Sequence, residues 1–137
     1  MGINSIGLIS LDCSHYKTEI VLRALHARES FDITLYALPW LSRKTRSPIF
    51  EHRPPQFKGD TLRNITRKLN LDYTTVTHDT EIPSGLDIYI ILSGQLLSGE
   101  FLKSKRVINC HAGILPIVRG LDAFKWAIYE SMPLGVT

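Results

Sequence analysis

Asn109 and His111 are the residues whose types and spacing can do chemistry. They close a short apolar segment, Arg106–Asn109, that reads as a strand, and they stand two positions apart. In extended backbone alternate side chains share a face, so the amide and the imidazole point one way and Cys110 the other. An amide donor beside an imidazole at the carboxyl edge of a sheet can bind a carbonyl oxygen and stabilise the negative charge it takes on under attack. Acyl transfer needs that hardware. The structural alternative has Asn109 satisfying a loop carbonyl and His111 hydrogen-bonded in a turn.

Ordered elements must position such a pair, and the chain alternates them. Ile3–Ser10 is a short apolar run; Lys17–Glu29 follows with Ile20, Val21, Ala24, Leu25 and Ala27 on one predicted helical face. Phe31–Leu38 is β-rich, whereas Pro39 to Gly59 carries Pro39, Pro48, Pro54 and Pro55 without periodicity, a long loop of the kind that often carries function. Asp60 can cap a helix with Leu62, Ile65 and Leu69 on one side, ending near Asn70, before a strand at Tyr73–Thr77. After Pro83-Ser84-Gly85 the continuous apolar run Asp87–Leu92 suits a strand covered on both faces, and Leu97–Lys103 reads as a brief helix. Asp122 can cap a last helix with Phe124, Ala127 and Ile128 inward, stopped by Met132–Gly135. The alternation predicts an α/β, doubly wound, mostly parallel sheet with helices on both faces, right-handed crossovers, and ligands beyond the carboxyl ends of the strands.

Composition narrows the class. A chain of 137 residues, 44% apolar and 21% charged, suits one compact domain with a real core. No apolar run reaches the length of a membrane span and no signal peptide opens the chain, so a cytoplasmic protein is expected. Cys13 and Cys110 read as reduced thiols packed as small hydrophobes, with neither a disulfide nor a metal site expected. The net charge of +3, concentrated in Ser42–Arg46 and His52–Lys58, can attract phosphate, a nucleotide or RNA, or be a solvated face. The first turn, Ser10 to Tyr16, holds no glycine, which disfavours a dinucleotide-binding dehydrogenase. Asp12, Ser14 and His15 there can touch a substrate, though Ser14 serves equally well as a helix cap.

The segment from Asn109 to Gly120 resembles the signature of the 10-formyltetrahydrofolate-dependent formyltransferases: Asn-x-His, then Leu115-Pro116, then Arg119-Gly120. Trp126-Ala127-Ile128 and Gly135-Val136-Thr137 are similar to that family's following helix and the start of its next strand, and Ser93–Leu97 is similar to its folate-contacting loop. The resemblance implies a Rossmann-like domain in which Asn109 donates to the formyl oxygen and His111 stabilises the oxyanion. It implies 10-formyltetrahydrofolate as co-substrate, held by Gly94, Gln95, Leu96, Leu97, Leu115 and Pro116, and an amine acceptor met by Asp12, Ser14, Arg119 and Gly120. Leu96 and Leu97 can equally be ordinary packing of a short helix.

Two departures stand out. Gly113 occupies a position where relatives often carry serine, and the aspartate that orients the family's histidine lies beyond the equivalent of Thr137. The resemblance therefore implies a fragment, inactive or nearly so by itself. Three acceptors fit the family. A glycinamide ribonucleotide calls for a glycine-rich phosphate loop missing here, and methionyl-tRNA for a basic loop where Ser42–Arg46 stands. The amine of a nucleotide-linked amino sugar is favoured narrowly. A deformylase, which replaces the amine by water, and a non-enzymatic binding domain that keeps the pair by descent are the rival classes.

Overall fold

The structure, a computed structural model, describes residues 2–41, 59–120 and 122–137. The basic clusters Ser42–Arg46 and His52–Lys58 and most of the Pro-rich loop lie outside the described residues. Five strands form one all-parallel sheet: β1 (Ser5–Leu11), β2 (Asp32–Leu38), β3 (Asp72–Thr75), β4 (Ile88–Ile91) and β5 (Val107–Asn109), in the order β3-β2-β1-β4-β5. Chain order reverses between β1 and β4, so a crevice opens beyond their carboxyl ends. The helices are α1 (Tyr16–His26), α2 (Leu62–Lys68), α3 (Gly99–Ser104) and α4 (Ala123–Tyr129), with a 3-10 turn at Asp79–Glu81 that periodicity does not announce.

Both faces of the sheet are covered. Ile6, Leu8, Ile33, Leu35, Ile88 and Leu92 pack with Leu22 of α1 and Leu62 and Ile65 of α2. Ile9, Tyr36, Leu38, Tyr89 and Ile91 pack on the other side with Phe101 of α3 and Ile82. The alternation of Ile88 and Leu92 with Tyr89 and Ile91 between the two clusters explains the unbroken apolar run of β4. A small third cluster, Val118, Ala123 and Ala127, seats α4.

Several local expectations fail for identifiable reasons. The inward stripe of α1 is Thr18 and Leu22, buried, with Val21 and Leu25 half-buried; Ile20, Ala24 and Ala27 face out. A polar Thr18 sits inward because Ser10 of β1 offers it a hydroxyl partner. Thr61, not Asp60, caps α2 by accepting from the Asn64 N–H, and Asp60 sits one residue outside, binding Thr61 N–H, Asn64 Nδ2 and Lys68 Nζ. Helix α2 stops at Lys68 and Asn70 turns left-handed at φ 54°. Asp122 stands at the N-cap of α4 in left-handed backbone, so its carboxylate is not a cap and pairs with Lys125 instead. Ala123 and Ala127 face inward from α4, while Phe124 and Ile128 are exposed. Ser14 is no cap for α1 either; His15 holds that place, with no side-chain bond to the helix's backbone N–H groups. Both cysteines are free, but Cys110 is exposed rather than packed.

Candidate functional site

Asn109 is the last residue of β5 and His111 follows at the start of a turn, so the pair lies at the carboxyl edge of the sheet, as the spacing implies. Asn109 is exposed and His111 half-buried. The imidazole Nε2 lies 3.1 Å from the Val118 carbonyl oxygen. A carbonyl only accepts, so Nε2 carries a proton and Nδ1 is the nitrogen left for chemistry. The backbone of His111 is held as firmly: its N–H donates to the Thr137 carbonyl at 2.8 Å, and the Thr137 N–H returns a bond to the His111 carbonyl at 3.0 Å. The Thr137 hydroxyl donates to the Gly113 carbonyl and accepts from the Leu115 N–H. Residues Gly135–Thr137 thus strap the turn without joining the five-stranded sheet, which corrects the reading of that segment as a new strand.

Gly113 is buried against this turn. A Cβ there would come within 2.5 Å of the Val118 carbonyl oxygen and 3.1 Å of His111 Nε2. The glycine is therefore a space requirement of the imidazole's anchor rather than a source of looseness. The Leu115-Pro116 bond is cis. Arg119 is exposed, and Gly120 adopts φ +93°, a conformation that side chains rarely take.

The first turn lies beside the pair, because Lys17 Nζ reaches the Cys110 carbonyl at 3.4 Å. Its polar groups split into two sets. At the buried end Ser10 Oγ and Thr18 Oγ1 are 2.7 Å apart, and Thr18 Oγ1 is 2.6 Å from His15 Nδ1. Burial, then the nearby Lys17 charge, holds the His15 imidazole below its ordinary value, so it is neutral at physiological pH. On the other side the Tyr73 hydroxyl donates to Asp12, Arg63 stacks 4.7 Å above the Tyr73 ring, and its guanidinium stands 3.9 Å from the Asp12 carboxylate. Burial first, and then the bond to Asp12 and its charge, push the Tyr73 phenol up. Asp12 stays exposed at the edge of this trio. Ser14, in contrast, spends its hydroxyl on the Gly59 carbonyl at 2.9 Å, tying the first turn to the end of the Pro-rich loop.

Gln95, Leu96 and Leu97 line a cleft of about 330 Å³ with Leu38, Thr77, His78, Asp79 and Ser98. Leu96 projects into solvent at 96% exposure, so neither it nor its neighbour Gln95 is core packing; Leu97 is half-buried against the second cluster. Asp79 fixes the cleft wall by accepting from the Ser98 N–H. Leu115 and Pro116 are exposed and lie outside this lining. Gly94 is exposed at the mouth of the loop.

Thr18, Arg63, Tyr73 and Ser93 are the polar residues of this edge that spacing does not single out. Thr18 and Tyr73 look like ordinary helix and strand residues until the sheet order brings them beside Ser10 and Asp12. Ser93, which opens the segment similar to a folate-contacting loop, has a buried hydroxyl with no hydrogen-bond partner among the described residues. No helix of the described residues is long and apolar enough to cross a membrane. Comparison of the chain with protein-family models, with curated proteins and with solved structures finds no match.

Proposed function

We propose that this protein transfers a formyl group from 10-formyltetrahydrofolate to a primary amine, with the amine of a nucleotide-linked amino sugar as the acceptor. The observation that carries the reading is the anchored His111: Nε2 is committed to the Val118 carbonyl, which leaves Nδ1 for the reaction, two residues beyond Asn109 at the strand edge. In the reaction the amine nitrogen attacks the formyl carbon and its carbonyl becomes an oxyanion. Asn109 and the protonated Nδ1 of His111 donate to that oxygen. The intermediate collapses by breaking the bond from the formyl carbon to N10; the amine loses a proton and N10 gains one, giving a formamide and tetrahydrofolate. The exposed Asp12 carboxylate, backed by Tyr73 and Arg63, suits a cationic or hydroxyl-rich acceptor at the first turn.

The test is release of tetrahydrofolate from 10-formyltetrahydrofolate in the presence of a panel of amines, nucleotide-linked amino sugars among them, by a parent protein made from the complete reading frame and by its Asn109→Ala and His111→Ala variants. Turnover by the parent with a loss of about 10²–10³ in each variant is expected, the cost of removing an oxyanion donor. Formate released without any amine acceptor would identify a hydrolase, and equal turnover by parent and His111→Ala would overturn the mechanism.

A further inference from the structure

We infer that the outer face of α4, with the turn and the strap on either side of it, is the interface of a two-fold dimer of this chain; the inference stands apart from the formyl-transfer reading. Helix α4 is apolar all round save for Lys125, and a helix of that kind belongs in an interior. Among the described residues, however, it buries only Ala123 and Ala127, in a cluster completed by Val118 and Met132 that shares no residue with the two cores of the sheet. Phe124, Trp126, Ile128 and Tyr129 stay 40–78% exposed.

The open surface is large enough to hold two chains together. Ile117, beside the Val118 that seats α4, and Leu134, just after Met132, extend it at 66% and 55% exposure. Trp126 and Tyr129 already meet edge to face at 5.9 Å, the kind of rigid aromatic anchor on which interfaces concentrate their energy. Taking about 150–250 Å² for each whole aromatic side chain, these six residues leave roughly 700 Å² open. A monomer's largest apolar patch is about 300–600 Å², whereas each partner in a standard interface contributes about 800 Å². Charge does not oppose self-association: Lys125 pairs with Asp122 at 3.1 Å, and an antiparallel crossing of two α4 helices brings Glu130 of each towards Lys125 of the other. The face is apolar from end to end, so it complements itself, and a two-fold is the commonest way for such a patch to close. At the opposite edge of the sheet β3 exposes Asp72, Thr74 and Thr75 instead, polar groups that discourage pairing.

The experiment is sedimentation equilibrium of the chain at concentrations from about 1 to 100 µM, with a reducing agent because Cys110 is exposed. The parent should rise from 15.5 kDa to twice that mass, with a Kd on the order of 1 µM or tighter. Trp126→Glu and Tyr129→Glu alter side chains 58% and 78% exposed, so each should keep the parent's circular dichroism and raise that Kd by at least about thirtyfold. If one of them fails to fold, the other decides. A parent that stays at 15.5 kDa at the highest concentration would overturn the inference and give the face to another occupant, further chain of the same polypeptide or a different protein. A dimer that the folded variants leave intact would overturn it as well, because the contact would then lie elsewhere. So would an open-ended series of larger masses, which a closed two-fold forbids. None of these outcomes bears on formyl transfer, which is read from turnover.

Discussion

At the scale of single residues, His111 depends on a neighbour that has no side chain. With Nε2 donating to Val118, the space a Cβ on Gly113 would fill is the space that bond occupies, 2.5 Å from the acceptor and 3.1 Å from the donor. Neither is the flexible end of a side chain: one is backbone and the other a ring already fixed by its own main-chain bonds to Thr137. Gly113→Ser, which restores the residue expected from the resemblance, should therefore release the imidazole rather than improve it, at about 1–3 kcal/mol of stability. Nitrogen chemical shifts of His111 should change from a single Nε2–H tautomer in the parent to a tautomer mixture in the variant; an unchanged spectrum would show that Val118 moves aside freely. The placement of Asn109 and His111 at the carboxyl end of β5 was legible because strand periodicity is local. The anchor was not, since it joins His111 to a carbonyl seven residues away across a turn whose path no spacing rule gives. Ser14 failed in the same way: its type suggested a cap or a substrate contact, and its partner is Gly59, 45 residues on.

At the scale of elements, β1 sits in the middle of the sheet and carries a glycine at its core, Gly7, aligned with Thr34 and Tyr89. Glycine inside a strand ordinarily weakens it, so alanine there would usually be stabilising by about 0.5–1 kcal/mol. Here a Cβ would stand 2.6 Å and 2.9 Å from two ring carbons of Tyr89. That ring is 1% exposed, packs edge-on to Phe101 at 5.9 Å, and is pinned by its hydroxyl on the Pro83 carbonyl. It cannot swing away without breaking both contacts, so the clash wins. Gly7→Ala should lower stability by about 1–3 kcal/mol, read as a shifted urea midpoint. Adding Tyr89→Leu should cost less than the sum of the two single changes, because the second substitution removes the obstacle. The existence and order of the elements were legible from the alternation of periods, and the doubly wound sheet follows from it. Helix faces were less so. Apolar spacing placed Ile20 and Ala24 inward on α1, whereas the buried Ser10 hydroxyl selects Thr18, a preference that exists only once the strand and helix have met.

At the scale of the whole molecule, two carboxylates clasp the chain in their charged form, Asp87 across distant stretches and Asp60 at the start of α2. Asp87, at the head of β4, accepts from the N–H groups of Asn4 and Ser5 and from the Ser5 hydroxyl, while Ser5 Oγ accepts from the Asp87 N–H. That clasp closes a separation of 82–83 residues at the start of the central β1–β4 pair. Asp60 braces α2 through Lys68 at 2.7 Å, Asn64 and Thr61. The backbone N–H groups hold the Asp87 carboxyl below its ordinary value, and Lys68, then Asn64, bring Asp60 down to about 2. A carboxyl depressed on folding binds fewer protons than its unfolded counterpart, so its contribution is present in full above the unfolded value near pH 4 and is lost as pH falls through the folded one. Urea midpoints measured from pH 7 to pH 2 should thus decline below about pH 4 in the parent. Asp60→Asn/Asp87→Asn should be less stable at pH 7 and approach the parent towards pH 2, because the neutral amides mimic what acid does to the carboxyls. A double variant that keeps the parent's full slope between pH 4 and pH 2 would place the acid sensitivity in other groups and leave these two clasps without the role their geometry gives them.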